Sequence, residues 1–208
     1  MDAVPTDEGL RPALEALAER DRDMAAAYAA CGLPPVRAIP EGFAGLIHTI
    51  VGQQVSAAAG RAIMSRLEAA VRPMTPQVLL KLDDDALRRV GLSGPKVRYC
   101  RGLAEDLTGG RLDLAEVHDL DDAEAIERIT RVKGLGRWSA ECYLLFALKR
   151  PDIWPADDLA VQAAVQRLKR LEARPTTKDM DRLAEPWRPY RSAAARFLWH
   201  YYRHPGLV

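Results

Sequence analysis

Apolar residues recur along the chain at three- and four-residue intervals, and no apolar/polar alternation runs long enough for a sheet, which predicts an all-α protein. The clearest case is Phe43, Leu46, Ile47, Ile50 and Val51, one buried helix face between Pro40 and Gly52. A second helix is expected from Val55 to about Val71 with Ala59, Ile63 and Leu67 inward, ended by Pro73 and Pro76. Short helices follow at Gln77 to Leu80 and Asp84 to Val90. A longer one runs from Lys96 to Leu107, with Val97, Cys100, Leu103 and Leu107 on one side and Gly109-Gly110 as its stop. Further helices are expected at Asp122 to Arg131, Arg137 to Lys149, Asp158 to Arg170, Thr177 to Leu183 and Arg188 to Arg203, with N-terminal helices within 8–32 packing on the core. No repeat and no low-complexity linker divides the chain.

At 208 residues, 48% of them apolar, the chain can bury a sizeable core. Thirty basic residues against 29 acidic ones, net +1, exclude uniformly cationic binding to nucleic acid and leave room for a local basic face. No apolar run approaches the roughly 18 to 20 residues that span a bilayer, and Met1-Asp2-Ala3-Val4-Pro5 is acidic where a signal peptide would be cationic, so a cytoplasmic protein is expected. Cys31, Cys100 and Cys142 are too few and too dispersed for a disulfide framework, a zinc site or an iron-sulfur cluster, and read as reduced thiols. His48 lies in an amphipathic helix, while His118, His200 and His204 lack metal-site company.

Charge is uneven along the chain. Residues 1–23 carry seven acids against three arginines, whereas Arg128, Arg131, Lys133, Arg137, Lys149 and Arg150 surround one glycine-containing turn, and Arg188, Arg191, Arg196 and Arg203 line the last helix. Inside that turn, Val132-Lys133-Gly134-Leu135-Gly136, two glycines allow a tight reversal whose backbone can approach another molecule, with Leu135 plugging the angle between helices. The helix from Arg137 presents orphan N–H groups and a positive dipole end, which suit a phosphate oxygen, and a plain helix-to-helix turn explains the same residues. Twenty positions after Trp138 stands Asp158, in Trp154-Pro155-Ala156-Asp157-Asp158-Leu159-Ala160-Val161. There one acid fits a helix cap, assigned to Asp157, and the next is a first-turn acid. Val90-Gly91-Leu92-Ser93-Gly94-Pro95-Lys96 is a second, looser turn, which either sets Lys96 against a phosphate or is an ordinary helix cap.

The run Val132 to Ala140 resembles the hairpin of the helix-hairpin-helix DNA glycosylase superfamily (HhH-GPD), with Lys133 in place of the customary proline. Asp158, two residues before a β-branched core position, matches that superfamily's catalytic aspartate. The segment Phe43 to Ser56, with Gln53-Gln54, is similar to the AlkA-like 3-methyladenine DNA glycosylase II group. The resemblance covers about Pro40 to Tyr202 and leaves no room for the N-terminal β domain of some relatives.

The resemblance implies a single glycosylase unit, 1–208. It would be a two-lobed helical fold, about 40–110 plus 111–208, with a helix-hairpin-helix motif at 122–149 beside a central cleft. It implies damaged duplex DNA as partner, with Lys133, Gly134, Leu135, Gly136 and Arg137 on phosphate and a monovalent cation, Na+ or K+, at the hairpin carbonyls. No cofactor is required, no side chain binds a metal, and the chain acts as a monomer. Gln53 and Gln54 stand where the family places the wedge that fills the space of an extruded nucleotide, although a glutamine pair between helices also serves as capping. Asp158 would stabilise charge on the sugar and take a proton from water.

The matched segments hold no partner acid, which fits alkylated purines whose cationic base is already a good leaving group. Trp138 and Tyr190 are the expected electron-rich walls of the substrate pocket. Relatives that also cut the strand carry a lysine where Trp138 stands, so a hydrolase without lyase activity is expected. Two other readings stay open: a glycosylase for uracil, hypoxanthine or a mispair, and a non-catalytic DNA-binding protein that keeps the hairpin.

Overall fold

In a computed structural model, which describes residues 5–204, the chain is helical throughout, with one isolated bridge between Thr6 and Pro35. Met1 to Val4, on which the reading against a leader rests, lie outside the described residues. No helix among the described residues is long and apolar enough to cross a membrane.

The chain divides into two compact units, 39–148 and 1–38 with 149–208. This corrects the expected division at 110/111. The hairpin helices belong with the preceding helices because α10 (Arg137–Phe146) packs on α3 (Gly42–Gly52), and the N-terminal helices belong with the last ones because α1 (Arg11–Arg20) and α2 (Arg22–Cys31) pack on α13 (Arg191–Tyr202).

In the 39–148 unit, α3 is the central helix, with Phe43, Leu46, Ile47, Ile50 and Val51 buried as its spacing requires. At Gly45 a Cβ would lie 2.1 Å from the Pro40 carbonyl oxygen and 3.1 Å from the Tyr143 ring, so backbone and ring approach through the missing side chain. The unit also holds α4 (Ala57–Ala70), α5 (Pro76–Leu80), α6 (Asp84–Arg89), α7 (Gly94–Thr108), α8 (Leu114–Asp119) and α9 (Asp122–Thr130); α4, α7 and α10 pack on α3, α5 and α6 on α7, and α8 on α9, which packs on α10. The buried side of α4 is Met64 and Leu67, with Ala59 exposed. The expected face was therefore set slightly wrong, because Ser56 caps α4 and its first turn stands in solvent. Helix α8 was not anticipated. It has six residues, too few for a periodic signal, and is started by Asp113 accepting from Ala115 and Glu116 N–H.

In the other unit α13 packs on α11 (Leu159–Leu168), and α12 (Thr177–Ala184) opens on a capping box of Thr176 and Asp179. Helix α13 starts at Arg191 and not at Arg188, since Arg188 is extended before Pro189. Its arginines do not form a free basic stripe. Arg191 grips Asp152 at 2.8 and 2.9 Å, Arg188 joins the same carboxylate at 2.6 Å, and Arg196 pairs with Asp7. All three cysteines are free thiols, and burial pushes that of Cys100 up to about 12.

Asp21 ties this unit together. Its side chain, 10% exposed, caps α2 through Asp23 and Met24 N–H, and receives Lys169 at 2.7 Å and the Trp187 indole at 2.8 Å. Burial pushes the carboxyl up. The Lys169, Trp187 and Met24 donors more than offset this, so Asp21 titrates below its ordinary value of 3.8. Below about 3.8 the unfolded chain binds more protons at this position than the folded one, so stability falls as pH falls through that region. Asp21→Ala is expected to cost about 2–3 kcal/mol near neutral pH, through the lost cap and the stranded Lys169 ammonium. Urea unfolding at pH 7 and pH 3 should show the gap between variant and wild type narrowing at pH 3.

Candidate active site

The hairpin lies in the 39–148 unit. Helix α9 ends at Thr130, the Val132 N–H closes on the Ile129 carbonyl at 3.1 Å, and the Leu135 N–H closes on the Val132 carbonyl at 3.0 Å. Leu135 is 2% exposed and anchors the turn from inside, so only its backbone can meet a ligand. Gly134 has φ +93°, and a Cβ there would fall 2.2 to 2.6 Å from atoms of the Tyr99 ring. This glycine is therefore required by both conformation and contact. Gly136 differs: its φ is −82° and a Cβ would meet nothing within 4 Å, so what its bareness provides is open access to the first turn of α10. Lys133 is exposed, and Arg137, also exposed, is held at 2.8 Å by the buried Glu141 one helical turn on. An anion at this turn would meet orphan N–H groups, the dipole end of a ten-residue helix and two cations.

The glutamine pair is divided by the structure. Gln53 caps the C-terminus of α3, and its side-chain amide donates to the Gly134 carbonyl at 2.8 Å and to Ser139 Oγ at 2.9 Å. It is committed to the hairpin, which corrects its assignment as a wedge. Gln54 is exposed at φ +53° in the reversal that follows α3. Lys96 is not on the outside either. Its ammonium donates to the Val51 and Gln53 carbonyls at 2.7 and 2.8 Å, and burial pushes its pKa down. It satisfies the C-terminal carbonyls of α3, a role that its own turn, Val90 to Lys96, did not suggest.

Asp158 lies in the other unit, buried to 8% exposure. It is itself the N-cap of α11, its Oδ1 accepting from Ala160 N–H and Val161 N–H at 2.9 Å each. This corrects the assignment of the cap to Asp157, which is exposed and accepts from the Thr177 hydroxyl at 2.6 Å. A third donor reaches the same oxygen, the indole Nε1 of Trp199 at 3.1 Å. The approach to the carboxylate is pinned throughout. Ser192 Oγ accepts from Ile153 N–H at 2.9 Å, Trp154 Nε1 donates to the Met180 carbonyl at 3.2 Å, and Gln162 Nε2 donates to the Ala156 carbonyl at 2.8 Å. Leu159, next to the carboxylate, is 65% exposed.

Of the expected aromatic walls, Trp138 is half-buried in the first turn of α10. Tyr190 is the N-cap of α13 and carries the Arg20 guanidinium 5.4 Å over its ring, so that face is already used by a cation. Trp199 was missed by sequence reasoning, and the only signal for it was an indole N–H that needs a partner in a packed helix. Among the described residues no group of three or more His, Cys, Asp or Glu is placed to hold a metal.

A model of the HhH-GPD superfamily of base excision DNA repair proteins matches residues 47–189. The chain belongs to this superfamily. It is 34% identical over 158 residues to DNA-3-methyladenine glycosylase 1 of Schizosaccharomyces pombe, covering 74% of this chain and 69% of that protein. A solved structure of the 3-methyladenine DNA glycosylase of that yeast in complex with abasic DNA superposes with a TM-score of 0.83 at 31% identity, over 90% of this chain and 95% of that one. The DNA-3-methyladenine glycosidase of Bacillus halodurans gives 0.76 at 29% identity, over 93% and 90%. The match to the HhH-GPD superfamily spans the hairpin, the glutamine pair and Asp158, and these structures share the all-α fold.

Proposed function

We propose that this protein is a DNA glycosylase that extrudes alkylated purines of the 3-methyladenine and 7-methylguanine type from duplex DNA and hydrolyses the N-glycosidic bond, leaving an abasic site. The observation that carries the reading is the Asp158 carboxylate. A protein that only bound DNA would need no more than a helix cap at this position, which a neutral asparagine would supply without setting a negative charge, held by three N–H donors, against a polyanion. With Oδ1 so held, the carboxylate has one fixed orientation in which to meet a sugar or an attacking water. A carboxylate there stabilises the positive charge that grows on deoxyribose as the bond breaks, and takes the proton of the water that adds to C1′. An alkylated purine leaves as a neutral base, so no acid is needed to protonate it. Relatives named for 3-methyladenine support this substrate class.

The hairpin grips phosphate through the first-turn N–H groups of α10, with Lys133 and Arg137 beside them, and Gln54 fills the vacated stack. A monovalent cation, Na+ or K+, fits at the hairpin carbonyls. Helix α9 brings the negative end of its dipole there, and the Val132 and Gly134 carbonyls, each accepting one N–H, keep a second lone pair. Those two carbonyls would hold the cation, which would supply positive charge toward a DNA phosphate. We further read the protein as a cytoplasmic monomer acting on DNA.

The test is release of free base from methylated duplex DNA, followed chromatographically. Release of 3-methyladenine and 7-methylguanine is expected, and DNA binding without release of either would overturn the reading. Affinity for the duplex should fall with salt, with a log–log slope of several units from the phosphate contacts. A flat response would remove the hairpin as the anchor.

Strand cleavage is not part of the activity in this reading. The first turn of α10 offers Trp138 and no amine, and Lys96 is bound to two carbonyls. Borohydride should therefore trap no covalent adduct with DNA during turnover, and a trapped adduct would show lyase chemistry.

A further inference from the structure

Gln53 belongs to neither a wedge nor an isolated cap. Its amide reaches across the 39–148 unit to the Gly134 carbonyl at 2.8 Å and Ser139 Oγ at 2.9 Å, joining the reversal that carries Gln54 to the hairpin and to the first turn of α10. Ser139 is 2% exposed, so this end of the bridge is inside the fold. A second route runs in parallel. Helix α7 carries Lys96 and Tyr99 three residues apart, on one side of the helix. Lys96 holds the Val51 and Gln53 carbonyls, and the Tyr99 ring lies where a Cβ of Gly134 would be. The exposed Gln54 and the phosphate-facing backbone of the hairpin are thus tied to one another directly by Gln53 and indirectly by α7.

We propose that Gln53 is a positioning residue for base extrusion, fixing the spacing of Gln54 relative to the hairpin so that seating the hairpin on the DNA backbone places Gln54 at the base stack. This rests on the excision reading above and adds to it the element that converts backbone binding into insertion. Opening a base pair costs a few kcal/mol, and that cost falls when the base has no pairing partner. A wedge held at fixed distance matters most where the cost is highest. A loose one would leave backbone binding intact and slow extrusion only from well-paired DNA.

Both bonds made by the Gln53 side chain are donated by its amide nitrogen, which selects the variants. Gln53→Glu keeps size and shape but removes the donor, and sets a carboxylate against the Gly134 carbonyl. Gln53→Lys keeps a donor of similar reach. The measurement is single-turnover release of 7-methylguanine from a fully paired duplex and from the same duplex with an abasic analogue opposite the lesion. Duplex affinity and thermal midpoint are measured alongside.

Gln53→Glu is expected to slow release from the paired duplex about tenfold or more and from the partnerless lesion less than about threefold, with affinity within about threefold of wild type. Gln53→Lys should restore most of the paired-duplex rate. Equal loss on both substrates, or no loss on the paired one, would overturn the inference and leave the excision reading standing. A wild type that releases no base from either duplex would overturn the excision reading itself. Insertion can then still be followed without chemistry, by the fluorescence of 2-aminopurine beside an abasic analogue. That signal should rise with wild type and stay low with Gln53→Glu at saturating protein, and equal signals would overturn the inference.

Discussion

Asp158→Asn is expected to lower the rate of base release from methylated DNA about 1,000-fold, within a range of roughly 100- to 10,000-fold, while the protein still folds and still binds DNA. Asparagine is as good an N-cap as aspartate, and its carbonyl oxygen can accept from Ala160, Val161 and the Trp199 indole as Oδ1 does now. What is lost is the negative charge and the ability to take a proton from water. The thermal midpoint should therefore stay close to wild type, and affinity for the polyanionic duplex should hold or rise. Asp158→Ala separates the two roles, since it also removes the cap and should cost about 1 kcal/mol of stability. Single-turnover release, urea unfolding and a binding isotherm on the same preparation check all three. Release by Asp158→Asn at the wild-type rate would remove this carboxylate from the chemistry.

Gly134→Val is expected to be the most damaging single change in the hairpin, at about 3–5 kcal/mol. A β-branched side chain at φ +93° meets the steric penalty of the left-handed region, about 1–2 kcal/mol. It also drives carbon into a ring whose atoms stand 2.2 to 2.6 Å from the Cβ position, and overpacking of that kind costs about 1–3 kcal/mol. The Gly134 carbonyl would turn with its residue and lose Gln53. Adding Tyr99→Ala should return the overlap part and leave the backbone part, so the double variant should be more stable than Gly134→Val alone despite the lost ring. Urea unfolding of the four proteins in that cycle checks this. A double variant no better than the single one would show that the ring contact does not matter. Gly136→Ala is the contrast. With an ordinary φ and open space, it should leave stability nearly unchanged and weaken binding to duplex DNA, because a methyl group then stands before the first turn of α10.

Where the chain carried its own physical signal, element and role were legible in advance. The periodicity of α3 predicted both its limits and its buried face, and the two glycines between α9 and α10 predicted a hairpin. Errors cluster where a residue's role depends on a partner remote in sequence. Gln53 and Gln54 are the same residue type at adjacent positions, and it is the Gly134 carbonyl and Ser139 Oγ, 81 and 86 residues away, that distinguish them. Arg188, Arg191 and Arg196 read from the sequence as ordinary cations toward the end of the chain, and only the fold sets Asp152 and Asp7 against them. Asp157 and Asp158 were assigned in the wrong order as caps because either can begin a helix, and the hydroxyl of Thr177 holds the first of them outside it.

The sequence by itself determined an all-helical chain and the position of the hairpin, because helix periodicity and glycine conformation act within a few residues; Asp158 stood out only through its resemblance to the superfamily's aspartate, since capping chemistry pointed to Asp157. Tertiary structure alone decided that the units divide at 38/39 and 148/149, that the Trp199 indole orients Asp158, that Lys96 faces inward, and that Gln53 holds the hairpin while Gln54 stands exposed. Each of those depends on which donor meets which acceptor across a distant chain crossing, a pairing that local residue preference does not encode.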